Sequence, residues 1–254
     1  MIKIGIIGGT GLDNPEILKN PGEIEIEKTP YGKPSSSLKT GDIDGVDVVL
    51  LSRHGKDHTI PPSEVNYIAN IYALKKQGVT HIIATTACGS LREEIERGDF
   101  VILDQYIDFT RKRRNSIYKT FEPKKPVHTP MSDPFDCRLR KTLIEAAEEL
   151  KLKYHDGGTV ITIEGPRFST KAESKMYRIW GADVINMTVA TEAAVANELG
   201  VPYAAVAMST DYDCWKGDEK PVCMEEIMKV MKKNSKNVVK LLVRAVKKIR
   251  ENIR

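Results

Sequence analysis

Short, β-branched, almost wholly apolar runs alternate with stretches of helical periodicity, and this alternation limits the fold more than any other feature of the chain. The strand-like runs fall at 3–7, 47–51, 81–86, 100–107, 159–163, 183–186 and 203–208. A run such as Val48-Val49-Leu50-Leu51 lacks polar alternation, as expected of a strand covered on both faces. Asp44-Gly45 stands between two strand-like stretches and signals a hairpin. Helical patterns occupy 63–77, 134–151, 171–180, 192–199 and 224–253, and Gly78, Gly181 and Gly200 follow three of them as C-caps should. The last helix carries Ile227, Met231, Val238, Leu241, Leu242, Ala245 and Ile249 as one stripe on a charged surface, suited to core packing. No repeat or Pro/Gly/Ser linker divides the 254 residues. The expectation is a single α/β domain over 1–254 with a central mixed β-sheet flanked by helices.

Charge excludes several classes of partner. With 39 Lys and Arg against 35 Asp and Glu, the net charge is only +4. The excess collects in Arg111-Lys112-Arg113-Arg114 and in the Lys/Arg-rich end from 229 to 254; both are read as solvated surface. No basic face interleaved with aromatics argues for nucleic acid. A non-catalytic binding module using the basic last helix is the alternative of a different class. Lys, Arg or Asp interrupts every apolar run before the roughly 20 residues of a membrane span, so no membrane is expected. The first apolar run is short and enters glycines, which reads as a strand and not a signal peptide, hence a cytoplasmic protein. Cys88, Cys137, Cys214 and Cys223 form no Cys-x-x-Cys and no zinc spacing with His, so reduced thiols and no metal are expected, with disulfides left open.

Three strand ends carry groups suited to a small anion. Gly5, Gly8 and Gly11 fit a G-x-x-G-x-x-G spacing, which raises a nicotinamide-dependent reductase. Such a motif needs a crossover helix behind it, and Leu12-Asp13-Asn14-Pro15 leaves room for about one or two turns. Backbone amides with the Thr10 hydroxyl suit a phosphate better. After the next strand, Arg53 offers a permanently charged fork. His54 and His58 are four apart, but Gly55 and Pro61-Pro62 oppose the helix a zinc pair would need. Thr85-Thr86-Ala87-Cys88-Gly89-Ser90 ends a third strand with small side chains that let a ligand reach the backbone, and Cys88 reads as a packed small residue.

Six motifs in order carry a resemblance: Gly8-Gly9-Thr10-Gly11-Leu12, Arg53-His54-Gly55, Thr85 to Ser90, Glu164-Gly165-Pro166-Arg167-Phe168-Ser169, Ile185-Asn186-Met187-Thr188 and Thr210-Asp211-Tyr212-Asp213-Cys214-Trp215. Over nearly the whole chain they resemble the trimeric purine nucleoside phosphorylases, and among them the methylthioadenosine-cleaving branch. The resemblance implies phosphorolysis of an N-glycosidic bond to a free purine and a pentose 1-phosphate, with inorganic phosphate as co-substrate, no cofactor, and a homotrimer or homohexamer. By the same resemblance Thr10, Arg53, His54, Thr86 and the backbone of Ala87 hold phosphate. Met187 and Thr188 lie along the ribose, and Phe168 and Ser169 meet the purine. Asp211 gives a proton to N7 of the departing base, and Asp213 accepts from the 6-amino group. His58, His128, Met224 and Ile227 surround the 5′-substituent. On residue pattern alone, Asp-x-Asp before a helix reads sooner as a cap or a turn than as a catalytic pair.

Two aspartates, with Ser169 where relatives acting on 6-oxopurines carry a Glu, favour adenine. Apolar Met224 and Ile227 suit a methylthio group better than a hydroxyl. A phosphorylase for 6-oxopurine nucleosides or methylthioinosine stays as the second reading, because a protonated carboxyl can donate to a 6-oxo group.

Overall fold

The computed structural model describes residues 2–8, 17–217 and 223–252. The glycine-loop residues Gly9, Thr10 and Gly11, and the stretch after them, lie outside the described residues. In chain order the elements are β1 (Lys3–Gly8), β2 (Lys19–Ile24), β3 (Leu38–Ile43), β4 (Val46–Ser52), α1 (Tyr67–Lys76), β5 (His81–Ser90), β6 (Phe100–Ile102), β7 (Gln105–Phe109), α2 (Cys137–Glu149), β8 (Tyr154–Asp156), β9 (Thr159–Ile163), α3 (Lys171–Ile179), β10 (Val184–Asn186), α4 (Val189–Glu198), β11 (Tyr203–Asp211) and α5 (Met224–Asn252).

All the described strands join one mixed sheet that branches at β5. One arm runs β2-β3-β4-β1-β5, and β11, β6 and β8 continue it. The other leaves the end of β5 through β10 and β9 to β7. β5 pairs in parallel with β1 as far as Ala84 and antiparallel with β10 from Gly89 onward. Between them Thr85–Cys88 keep only β11 as a ladder partner among the described residues, through Val206–Ser209. The branch therefore opens a strip of β5 backbone beside a cleft, at the point where the sheet splits.

Two apolar layers hold this frame. Ile68, Ile71 and Leu74 of α1 and Val189, Ala193 and Val195 of α4 cover one face. Leu139, Leu143 and Ala146 of α2 and Val238, Leu241, Leu242 and Ala245 of α5 cover the other. From Val238 onward the stripe on α5 is thus core packing, as its spacing implies, whereas Ile227 and Met231 face the cavity described below. α3 packs through Tyr177 on Ile161, Ile163 and Ile185 of the second arm.

The expected single strand at 100–107 is two strands serving different arms: β6 pairs with β11 and β8, and β7 with β9. The break falls at Asp104, whose carboxylate accepts the Gly158 amide and turns the chain. β2 and β8 carry no apolar run and were not expected; both are short, and β2 is almost wholly exposed at a sheet edge. α1 starts at Tyr67, not 63, because the Asn66 side chain caps it by accepting the Ala69 amide, while Pro62–Glu64 form a separate 3-10 turn. α4 starts earlier than 192 because it is buried nearly all round and shows no amphipathic edge. The turn at Asp44-Gly45 joins β3 to β4 as the hairpin signal requires.

Candidate active site

A cavity of about 470 Å³ opens where the sheet branches. Its wall brings together Arg53, His54, His58, Thr86, Ala87, Phe168, Ser169, Met187, Thr188, Asp211, Asp213, Met224 and Ile227. These are the residues expected from the sequence, apart from Thr10, which is not described, and His128. His128 is exposed on the segment after β7, edge-on to Phe121 at 5.8 Å, and does not line the cavity of its own chain.

The cationic end is built by burial. Arg53, at the end of β4, is 1% exposed and donates from Nε and Nη2 to the Glu192 carboxylate at 2.5 and 2.9 Å. Its Nη1 donates to the Thr85 carbonyl at 2.9 Å. Tyr203 donates to the same carboxylate at 2.7 Å. Three bonds leave two of the five guanidinium protons for a ligand. Glu192 was missed in the sequence, although a lone acid in the apolar run Val189-Ala190-Thr191-Glu192-Ala193-Ala194-Val195 has to be paired.

Gly55 follows with φ of 73°, a left-handed conformation in which an added Cβ would press on Ile60 and the Ser35 carbonyl. That reversal breaks the helix a zinc pair would need, and His54 and His58 stack with ring centroids 4.2 Å apart. Burial, then the Arg53 guanidinium, push the His54 pKa down to about 4. The ring is neutral at pH 7, so Nδ1 donates to the Ile60 carbonyl at 2.9 Å and Nε2 keeps a lone pair.

The acidic end lies on β11. A register shift between Ser209 and Asp211 rotates the strand end into the cavity. The Asp213 amide donates to Asp211 Oδ1 at 2.8 Å, and the Thr210 hydroxyl lies 2.7 Å from Oδ2. Asp211 and Asp213 press against Gly89, where a Cβ would come within 2.9 Å of the Asp211 carboxylate. Burial raises the Asp211 pKa to about 6, with the Asp213 charge adding to the rise and these hydrogen bonds and Arg97 opposing it. Burial also raises the Asp213 pKa, against the Ser174 and Ser169 hydroxyls that favour its ionised form. Cys88 is buried beneath the cavity, with its thiol pushed up by burial and by Asp211, which suits packing and not attack.

Between the two ends stands an apolar rim. Met224 is half exposed at the mouth, and Met228 and Met231 extend its face of α5 along the cavity. Met228 was not singled out in the sequence and Met231 was read as core packing, although they follow Met224 at helical spacings of four and seven residues. Asn186 also lines the wall, accepting from Thr162 Oγ1 at 2.8 Å and donating to Thr86 Oγ1 at 3.3 Å. The basic run at 111–114 is not uniformly solvated, as the sequence suggested: the Arg113 side chain is 2% exposed and ion-paired with Glu164.

A buried guanidinium facing a raised carboxyl pair across an apolar gap suits displacement by an anion at a carbon bearing a poor, protonatable leaving group. The comparisons agree with that chemistry. The family model described as the phosphorylase superfamily matches residues 3–247. An S-methyl-5′-thioadenosine phosphorylase of Xenopus tropicalis is 53% identical over 251 residues, 98% of this chain and 89% of the relative. One of Danio rerio is 52% identical over 250 residues, with the same coverage of 98% and 89%. The methylthioadenosine phosphorylase of Schistosoma mansoni, solved in complex with adenine, superposes with a TM-score of 0.93 at 43% identity, covering 98% of this chain and 92% of that one. With the match running through every strand and into the last helix, the chain belongs to the phosphorylase superfamily.

Proposed function

We propose that the protein is a pentosyltransferase that cleaves S-methyl-5′-thioadenosine with inorganic phosphate, releasing adenine and 5-methylthioribose 1-phosphate, a step of methionine and purine salvage. The observation that carries this reading is Asp211, buried with a pKa of about 6 beside Asp213, in one cavity with the buried cation Arg53. The adenine complex of the Schistosoma mansoni enzyme supports it.

Phosphate binds against the two free protons of Arg53, the hydroxyls of Thr10 and Thr86 and the backbone at Ala87. His54 accepts from the protonated phosphate oxygen through Nε2. Met187 and Thr188 hold the ribose above it, and Phe168 stacks on the purine. As the bond from the anomeric carbon to N9 breaks, its electron pair passes into the base. Asp211 delivers its proton to N7, and a phosphate oxygen bonds to the anomeric carbon. Asp213, in its ionised form, accepts from the 6-amino group. Positioning and charge complementarity supply most of the acceleration. The 5′-methylthio group lies against His58, Met224 and Ile227.

No cofactor enters: phosphate is the co-substrate. In the same reading the chain works in the cytoplasm as a homotrimer or homohexamer, with His128 reaching the 5′-group of a neighbouring copy. Exposed Phe121 and Val127 beside His128 support such a contact.

The test is release of adenine from methylthioadenosine with and without phosphate. Release that requires phosphate is expected. Release in its absence means a hydrolase and overturns the anion site. Turnover of methylthioinosine alone overturns the role of Asp213.

A further inference from the structure

We propose that Arg113 is the positioning residue of the nucleoside half of the cavity. Its guanidinium has five N–H donors, and each finds an acceptor. Nε donates to Glu164 Oε1 at 2.9 Å. Nη1 donates to the Met187 carbonyl at 2.5 Å and the Tyr67 hydroxyl at 3.0 Å. Nη2 donates to the Ile163 carbonyl at 3.3 Å and to the Glu164 carbonyl. The guanidinium also stands 5.0 Å from the centre of the Tyr67 ring.

These acceptors lie on, or are bonded to, three separate stretches of cavity wall. Ile163 and Pro166 line it from the end of β9, and Met187 from the end of β10. Tyr67 donates its own hydroxyl hydrogen bond to the carbonyl of Pro62, which lines it from the segment after His58. One buried cation thus joins the three chain segments that enclose ribose and base, without lining the cavity itself. Glu164 anchors the cation in turn. Burial opposes its ionisation, but the Arg111 and Lys112 amides and Arg113 hold its carboxyl below the ordinary value. The phosphate half has its own ties, Arg53 with Glu192 and the β5–β11 ladder, and feels Arg113 only through the charge that it places near His54. Loss of Arg113 therefore loosens one half of the site only. Lysine cannot replace it, because an ammonium has three donors and no planar fork.

The experiment compares wild type with Arg113→Met, Arg113→Lys and Glu164→Gln. The expected result is a nucleoside KM raised about tenfold in both Arg113 variants, with phosphate KM within about twofold of wild type. Glu164→Gln gives a smaller rise in the same direction, and adding it to Arg113→Met costs less than the two singles summed. A parallel rise in phosphate KM, an unchanged nucleoside KM, or full rescue by lysine would overturn the assignment. Should the Arg113 variants fail to fold, Tyr67→Phe removes one acceptor and its link to Pro62. A nucleoside-only rise is expected there too, and no change sinks the idea. The proposal rests on the phosphorolysis above, so calorimetric affinities for methylthioadenosine alone and phosphate alone are measured as well. A wild type that binds neither refutes that reaction, whereas equal losses of both affinities in the variants refute only Arg113.

Discussion

Asp211 illustrates how one residue is set for its task at the expense of the fold. Its carboxyl is raised from 3.8 to about 6 chiefly by burial, so between those values the native state binds a proton that the unfolded chain does not. Stability therefore falls as pH rises through that window, and the full penalty is present above pH 6. Asp211→Asn removes the penalty and the proposed proton donor together. At pH 7 it is expected to stabilise the free protein by on the order of 2 kcal/mol, read as a higher denaturant midpoint. The same variant should lose kcat by about a hundredfold or more while phosphate affinity stays put. In wild type, kcat/KM for the nucleoside falls as pH rises past about 6, where Asp211 gives up its proton, and that limb is absent from the variant. Equal losses of kcat and phosphate affinity would remove Asp211 from the leaving-group step. None of this could be read from Asp-x-Asp as a pattern: a carboxyl's burial depends on strands far away in sequence. Arg113 teaches the same lesson, being indistinguishable in sequence from Arg111 and Arg114, yet its side chain is buried and theirs are exposed.

Among the elements, β5 does most to shape the site, because its two edges change partners along its length. The strands of the sheet interior were legible, since covered strands are apolar throughout. The edge strands β2 and β8 were not, because solvent-facing backbone demands no particular side chains. Where 100–107 splits could not be read either: the break depends on Asp104 meeting an amide some 54 positions further along. At the end of β5, Gly89 gives the two aspartates their space. Gly89→Ala would drive a Cβ to 2.9 Å from the Asp211 carboxylate and 3.0 Å from Ile185, so the pair must shift. The expected result is a loss of about a hundredfold in kcat, with phosphate still raising the melting temperature as in wild type. Loss of that phosphate response would show that the damage is not confined to the base side. The tie between β4 and α4 behaves differently. Glu192→Gln leaves Arg53 buried with half its partner, which is expected to cost about 3–5 kcal/mol in chemical denaturation and to raise phosphate KM. A variant as stable as wild type would mean that solvent already reaches the pair.

For the molecule as a whole, the two layers packed on the sheet enclose the proposed phosphate, ribose and base positions within one chain, while the end proposed for the 5′ group stays open. Met224 and Met228 are 52% and 40% exposed there, and His128 projects from the same protein without reaching its own cavity. If copies assemble so that His128 of one closes the mouth of the next, two impaired variants should repair each other. His128→Ala is expected to raise the nucleoside KM, and Asp211→Asn to suppress kcat. Dissociated together and reassembled, some sites combine an intact Asp211 with an intact His128 supplied by the other variant. Those sites regain wild-type KM and kcat, in proportion to the statistics of mixing. A chain that used its own His128 could not form such a site, because every chain with Asp211 would lack the histidine. Activity equal to the sum of the separate variants would place His128 in its own chain or outside the site altogether. The mixture thus reads an intermolecular contact through the chemistry of a single cavity, without needing the assembly's geometry in advance.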